Sequence, residues 1–131
     1  MVNILIISHS QNLAKGVFEL ASEMKSSDFK FEYLGGTKEG KIGSDGDVVS
    51  QKIQSLITDN NELLIIADLG SSIMNSEMAI DFDLDDEQKK RVILAKTPFV
   101  ESALISVVQA GFATSVKELY TMLLNEFPEI K

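Results

Sequence analysis

Two short runs of mainly apolar, β-branched residues, 2–7 and 63–67, constrain the fold of this chain more than any other feature. Neither run shows the alternation of apolar and polar residues that marks a strand with one face in water. Such runs are typical of strands buried on both faces of a parallel sheet. Segments 29–34 and 91–95 are further candidate strands.

Between these candidate strands, apolar residues recur at spacings of three and four, which predicts amphipathic helices. The apolar positions are Leu13, Val17, Leu20, Ala21 and Met24, then Val48, Val49, Ile53, Leu56 and Ile57, then Ile73, Met74, Met78 and Ala79. A longer helical stretch is predicted over 99–110, before Gly111, and Val116, Leu119, Leu123 and Leu124 mark a last helix. Alternating strands and helices predict an α/β fold with a parallel sheet, helices on both faces and right-handed crossovers. No repeat or long linker divides the chain, so one domain is expected over 1–131.

Composition excludes several classes of function. The chain has no cysteine and a single histidine, so disulfides are impossible and a structural metal site is not expected. The formal net charge of −8 argues against nucleic acid as a partner. The amino terminus lacks a signal peptide's basic region and no membrane span is expected, which favours a cytoplasmic protein.

An acidic run is a second charge feature of the chain. It comprises Asp81, Asp83, Asp85, Asp86 and Glu87. The run is expected to form a solvated loop, with attraction or repulsion of a protein partner as the alternative.

Ligands and chemistry in open α/β sheets gather where loops leave the carboxyl ends of the strands. That rule selects the segments 8–10, 35–37 and 68–72, which should all open on the same edge of the sheet. The sequence therefore predicts a functional site at this edge.

His9 is the candidate nucleophile in these segments. It follows the first buried strand and precedes a helix, whose amino terminus attracts anions through free N–H groups. An imidazole can act as a nucleophile when an acceptor holds its other ring nitrogen, and Asp68 is the natural acceptor. A turn or capping role is the alternative for Asp68. Ser10 could donate a hydroxyl to a phosphate or simply cap the helix.

Small residues elsewhere at this edge are candidate phosphate supports. Gly70, Ser71 and Ser72 open the third helix, and Gly36 and Thr37 follow the second strand. The glycine-rich loop 35–46 is expected to be flexible. It lacks the pattern of a P-loop, and no dinucleotide fingerprint follows a strand, so no nucleotide cofactor is expected.

Several of these segments together resemble the mannose-type IIA components of the bacterial phosphotransferase system, and within them the DhaM branch that serves dihydroxyacetone kinases. The matching segments are Ile-Ile-Ser-His-Ser at 6–10, Leu-Ala-Lys-Gly-Val at 13–17, Gly-Gly-Thr at 35–37, Ile-Gly-Ser at 42–44, Asp-Leu-Gly-Ser at 68–71, Met-Asn at 74–75 and Pro-Phe-Val-Glu at 98–101. The resemblance covers nearly the whole chain.

The resemblance implies a phosphocarrier. His9 would accept a phosphoryl group from the carrier protein HPr and pass it to ADP held by the subunit DhaL, and Asp68 would orient His9. The ATP so formed would phosphorylate dihydroxyacetone bound on DhaK. The family fold has the strand order 2-1-3-4, and its members form homodimers. Some relatives carry fused HPr-like and enzyme I-like domains; this chain has neither, so a separate HPr is the expected donor.

Three other functions share parts of this pattern. A mannose-type IIA component for a sugar permease would give its phosphate to a IIB protein instead of to DhaL. A flavodoxin-type electron carrier fits the size and acidity of the chain. Flavin rings usually stack on aromatic side chains, but tryptophan is absent and the only tyrosines are Tyr33 and Tyr120. A receiver domain would need acidic residues after the first strand, where Ser8 and His9 stand.

Overall fold

The computed structural model describes residues 1–130, which form a four-stranded sheet covered by helices. The strands are β1 (Val2–Ser8), β2 (Phe31–Gly35), β3 (Glu62–Ala67) and β4 (Val92–Ala95). The helices are α1 (Gln11–Ser22), α2 (Gly46–Leu56), α3 (Gly70–Met78), α4 (Asp86–Lys89), α5 (Phe99–Gln109) and α6 (Val116–Glu126), with a 3-10 turn at Thr58–Asn60 and a π-helical turn at Ala79–Asp83.

The sheet is entirely parallel, with the strand order β2-β1-β3-β4. The predicted fold class and strand order are therefore confirmed. Strand β1 lies between β2 and β3, where Ser8 pairs with Gly35 and Ile7 pairs with Ala67. Because all strands run in one direction, the segments after β1, β2 and β3 emerge at the same edge of the sheet.

The central strands are buried on both faces, as their apolar runs predict. Ile4 and Ile6 pack into one core with the apolar faces of α1, α5 and α6. Leu5 and Ile7 alternate with them and pack into a second core, chiefly with α2. Burial of both faces explains why β1 and β3 show no polar alternation. Among residues 1–130, no helix has the length and apolarity that crossing a bilayer requires.

Two expectations differ from the structure. The acidic run is exposed but does not form a loop, because it contributes to the π-helical turn and to α4. Helix α4 begins with a capping box, in which the side chains of Asp85 and Gln88 each bond the other residue's backbone N–H. Leu13 and Leu20 were expected on the buried face of the first helix, yet they are 42% and 54% exposed, and Met24, expected on the same face, lies beyond the end of α1. The buried face of α1 is narrower than the spacing indicates.

Gly35 marks the closest approach between α1 and the sheet. A Cβ atom at this position would lie 2.6 Å from Gln11 Cα and 2.8 Å from the Ser10 carbonyl oxygen. Only a residue without a side chain lets the amino terminus of α1 settle against the end of β2. This packing places the helix start directly beside His9.

We expect Gly35→Ala to lower the free energy of unfolding by about 2 kcal/mol, because the new methyl group overlaps backbone atoms that cannot move aside. Urea denaturation measures this change. Gly16→Ala is the matched control, since a Cβ atom there meets nothing within 4 Å. In the helix interior that change should raise stability by up to about 1 kcal/mol. Equal effects of the two substitutions would contradict the packing described here.

Candidate functional site

Parallel pairing of β1 with β3 brings the candidate nucleophile and its candidate acceptor together. Asp68 immediately follows β3, and its backbone N–H donates to the Ile7 carbonyl oxygen at 3.0 Å. This extra bond extends the ladder beyond the last paired residues. His9 Nδ1 lies 3.0 Å from Asp68 Oδ1. The predicted juxtaposition of His9 and Asp68 is therefore present in the structure.

The Asp68 carboxylate is surrounded by hydrogen-bond donors. Its Oδ2 accepts from the Ser8 hydroxyl at 2.8 Å and from the His9 backbone N–H at 3.0 Å. Its Oδ1 accepts from the Leu69 backbone N–H at 2.7 Å and faces the His9 ring. The two backbone N–H groups can only donate, and the Ser8 hydroxyl can donate as well, so these contacts favour an ionised carboxylate.

The same contacts act on the acidity of Asp68. Burial disfavours the charged carboxylate and raises its pKa, but hydrogen bonds from His9, Ser8 and Leu69 oppose this effect. The balance leaves the pKa of Asp68 below its usual value. Asp68 is thus ionised at neutral pH, although only 10% of its side chain is exposed.

An ionised acceptor at Nδ1 determines which nitrogen of His9 is free to react. A carboxylate can only accept, so the proton of a neutral His9 ring resides on Nδ1 and the lone pair resides on Nε2. Ser72 Oγ lies 3.1 Å from the same Nδ1 atom and offers a second oxygen to that proton. The geometry therefore leaves the free lone pair on Nε2.

The start of α3 surrounds the reactive nitrogen. Ser71 Oγ lies 2.8 Å from His9 Nε2, and its hydroxyl donates to the nitrogen lone pair in this tautomer. Gly70 adopts a φ of +51°, and a Cβ atom there would lie 3.4 Å from Nε2. Glycine both tolerates this backbone conformation and leaves space in front of the nucleophile. Gly70, Ser71 and Ser72 thus all lie close to the ring, and their role as phosphate supports stays a prediction.

Two helix amino termini are directed to this edge. The residue before α3, Leu69, makes no side-chain capping bond to the helix. The Ser72 N–H donates to the Leu69 carbonyl oxygen at 3.2 Å, which leaves the N–H groups of Gly70 and Ser71 available to an anion. Helix α1 begins two residues after His9 and is capped by Ser10, whose hydroxyl accepts from the Leu13 N–H at 3.2 Å. Oriented N–H groups of this kind attract phosphate.

The remaining predicted supports serve the backbone in this structure. Ser10 acts as the cap, which is the alternative role considered for it. Gly36 has a φ of +74° and donates its N–H to the Ser8 carbonyl oxygen, while Thr37 bonds Lys41 across a turn. Direct phosphate contacts from Gly36 and Thr37 stay a prediction. The loop they begin contacts the site through the Gly43 N–H, which donates to the His9 carbonyl oxygen at 2.9 Å.

Apolar side chains beside the site are more exposed than their sequence positions suggest. For the apolar residues near this edge, the sequence predicts core packing for most and docking as the alternative; they are Leu69, Ile73, Met74 and Phe99. Leu69 and Met74 are 60% and 59% exposed. Ile42, in the loop that contacts His9, is also exposed. Phe99 is buried and Ile73 is half-buried against the core, as expected for those two residues.

Sequence reasoning gave no role to Ser8, which contacts Asp68 directly. The sequence feature that could have indicated a role for Ser8 is its position, as a polar residue at the end of an apolar strand and next to the loop that contains His9. In residues 1–130 no cluster of three or more His, Cys, Asp or Glu side chains could hold a metal ion.

Comparison with known proteins places this chain in a family. Residues 3–121 match the family model EIIA-man, described as the PTS system fructose IIA component. The chain therefore belongs to this family of phosphotransferase-system IIA components.

Its curated relatives include DhaM proteins. The phosphoryl donor subunit DhaM of PEP-dependent dihydroxyacetone kinase 2 from Listeria innocua is 29% identical over 125 residues, which cover 95% of this chain and 98% of that protein. The phosphoryl donor subunit DhaM of Escherichia coli is 34% identical over 91% of this chain. The chain spans only 25% of the length of that second relative. The resemblance to DhaM seen in the sequence is confirmed.

Solved structures agree with this placement. A crystal structure of the unknown-function protein EF1359 has a TM-score of 0.82 and 34% sequence identity, with 95% of this chain and 93% of the other covered. The phosphotransferase system component EIIA from Streptococcus agalactiae has a TM-score of 0.72 at 17% identity, with 95% and 91% covered. The second likeness concerns the fold alone.

The lowered pKa of Asp68 predicts a pH dependence of stability. A carboxyl group with a lower pKa in the folded than in the unfolded chain stabilises the fold fully above its unfolded pKa of about 3.9. This contribution is lost as the pH falls through the folded value. We therefore expect the free energy of unfolding of Asp68→Asn to fall less than that of the wild type as the pH is lowered from about 5 to 2.

Urea denaturation across this pH range measures the difference between the two proteins. Asp28→Asn is the control, because Asp28 is exposed and precedes β2, at the opposite edge of the sheet. It should leave the pH dependence nearly unchanged. Parallel curves for the wild type and Asp68→Asn would show that the hydrogen bonds to Asp68 do not favour its ionised form.

Proposed function

We propose that this chain is the phosphocarrier of a PEP-dependent dihydroxyacetone kinase. His9 Nε2 accepts a phosphoryl group from HPr and passes it to ADP bound on DhaL, and the resulting ATP phosphorylates dihydroxyacetone on DhaK. The observation that carries this proposal is the His9 ring itself. Its Nδ1 faces an ionised carboxylate and its Nε2 faces the start of a helix. The names of the DhaM relatives support the choice of pathway.

The transfer step follows from this geometry. The Nε2 lone pair attacks the phosphorus of the donor phosphohistidine, so that a new N–P bond forms as the donor's N–P bond breaks. The His9 ring becomes positively charged, and the Asp68 carboxylate 3.0 Å from Nδ1 stabilises that charge. The Ser71 hydroxyl must turn away from Nε2 before the attack. It can then donate to a phosphoryl oxygen together with first-turn N–H groups of α3.

The roles divide between this chain and its partners. The chain supplies the nucleophile, its orientation and donors to the phosphoryl group, and the partner on each side supplies the other half of the reaction centre. The proposed activity requires no cofactor bound to this chain. It is a carrier's activity within a kinase complex, and the chemistry on dihydroxyacetone belongs to another subunit.

Transient partners need a surface around the nucleophile. The His9 side chain is 19% exposed, so a partner can reach it only by docking closely. Ile42, Leu69 and Met74 are exposed on segments that contact or adjoin the site. We assign these apolar side chains to docking of the donor and acceptor proteins. Homodimer formation, which the family resemblance implies, stays a prediction that sedimentation velocity would test.

We expect incubation with enzyme I, HPr and phosphoenolpyruvate to add one phosphoryl group to the wild type and none to His9→Ala. Intact-mass spectrometry measures the addition. Because His9 lies at an edge loop and contributes little to the core, His9→Ala should remain folded. Asp68→Ala should slow acceptance about 10- to 1,000-fold without abolishing it, since Asp68 orients the ring and does not react. A folded His9→Ala protein that still accepts a phosphoryl group would contradict the proposed role of His9 as the phosphorylated residue.

The acceptor is tested in a second step with the phosphorylated protein. We expect its phosphoryl group to pass to DhaL loaded with ADP, with ATP as the product, and not to a mannose-type IIB protein. Phosphorylated HPr without this chain is the control for direct transfer. Exclusive transfer to the IIB protein would assign the chain to a sugar permease instead, and no phosphorylation by HPr would remove both alternatives.

A further inference from the structure

Ser8 occupies a buried position between the nucleophile's strand and the carboxylate. It is the last residue of β1, and only 1% of its surface is exposed. Its Oγ accepts the Ser10 backbone N–H at 3.0 Å and lies 2.8 Å from Asp68 Oδ2. One hydroxyl group therefore links the start of α1 to the carboxylate that faces His9.

The direction of these two hydrogen bonds is determined by their partners. A backbone N–H can only donate, so the Ser8 oxygen is the acceptor in its bond with Ser10. An ionised carboxylate can only accept, so the Ser8 proton points to Asp68 Oδ2. The hydroxyl is thus held at both ends, and it cannot rotate without losing a hydrogen bond in a buried place.

Ser8 is also distinct from the other donors to Asp68. The donors besides the His9 ring are the backbone N–H groups of His9 and Leu69, which move with the chain. Ser8 alone among these contacts acts through a side chain that does not itself react. It holds Oδ2, and a carboxylate held at Oδ2 presents Oδ1 to His9 Nδ1 at a defined angle.

We infer that Ser8 is a positioning residue, whose hydroxyl holds the Asp68 carboxylate so that His9 keeps its proton on Nδ1 and its lone pair on Nε2. The inference concerns the site of the proposed function and deepens it. It also explains why a serine stands at the end of a strand whose neighbours are large and apolar. An apolar residue would leave Oδ2 short of one donor beside a carboxylate that is mostly buried.

Nitrogen-15 NMR of the imidazole tests this inference without any partner. His9 is the only histidine of the chain, so the spectrum of the tag-free protein reports on this ring alone. We expect the wild type to show predominantly the Nδ1–H tautomer. Ser8→Ala should show an increased share of the Nε2–H tautomer, because Oδ2 then keeps only its bond from the His9 backbone N–H and the carboxylate is held less firmly toward Nδ1.

The rate of phosphoryl acceptance from HPr provides the second readout. Ser8→Ala should slow acceptance about tenfold, as expected for loss of one hydrogen bond to a charged group. Ser8→Thr keeps the hydroxyl and should restore both the tautomer and most of the rate. Ser106→Ala is the matched control. Ser106 is a fully buried serine on α5 whose hydroxyl has no hydrogen-bond partner within the described chain, so its removal should change neither readout.

Three outcomes would overturn the inference. They are an unchanged tautomer in a folded Ser8→Ala protein, a slower rate without a change of tautomer, and an equal effect of Ser106→Ala. Failure of the proposed function is distinguishable from these outcomes. In that case HPr would not phosphorylate even the wild type, while the NMR spectra would still show whether Ser8 controls the His9 tautomer.

Discussion

The parallel pairing of β1 with β3 is the constraint on which the site depends. In this register Ile7 lies beside Ala67, so the next residues of both strands leave the sheet at the same level. The Asp68 N–H bond to the Ile7 carbonyl oxygen continues the ladder by one step. A shift of register would move Asp68 along β1 and turn its side chain to the other face. The apolar core on both faces opposes such a shift, and core packing thereby holds His9 and Asp68 together.

Hydrogen bonds to Asp68 then keep its carboxylate ionised beside the His9 ring. A buried carboxylate without partners would take up a proton, and a protonated Asp68 would no longer stabilise a charged ring. The Ser8 hydroxyl and the backbone N–H groups of His9 and Leu69 prevent this by solvating the charged form. The site can therefore keep an ionised acceptor beneath the imidazole while excluding most water. That combination keeps the free lone pair on Nε2, as the proposed transfer requires.

Sequence patterns predict the fold and the proximity of His9 and Asp68, but not the hydrogen bonds that orient the two side chains. Because β1 and β3 are buried on both faces, their sequences are uninterrupted apolar runs that can be recognised as strands. Functional residues of open parallel sheets lie in the loops at the carboxyl ends of the strands, and this selects the loops that contain His9 and Asp68. The hydroxyl network is invisible to such patterns, because whether Ser8 reaches Asp68 depends on the register of two strands distant in sequence. Such patterns also do not predict that Leu69 and Met74 are exposed. Helical spacing shows that a face is apolar, but not whether another element of the same chain covers it.

A histidine that reacts with groups on other proteins must be accessible to those proteins and yet shielded from water between encounters. His9 lies mostly within the protein, and the Ser71 hydroxyl occupies the space in front of Nε2. In the proposed transfer, a phosphorus atom attacked by Nε2 would enter that same space, so Ser71 would have to rotate each time. Rotation of one side chain about a single bond is fast compared with docking of two proteins. A serine at this position can thus shield the lone pair from water between encounters without slowing the transfer. Gly70 has the complementary effect of leaving the approach to Nε2 open, because a side chain there would stand between the His9 ring and a docking partner.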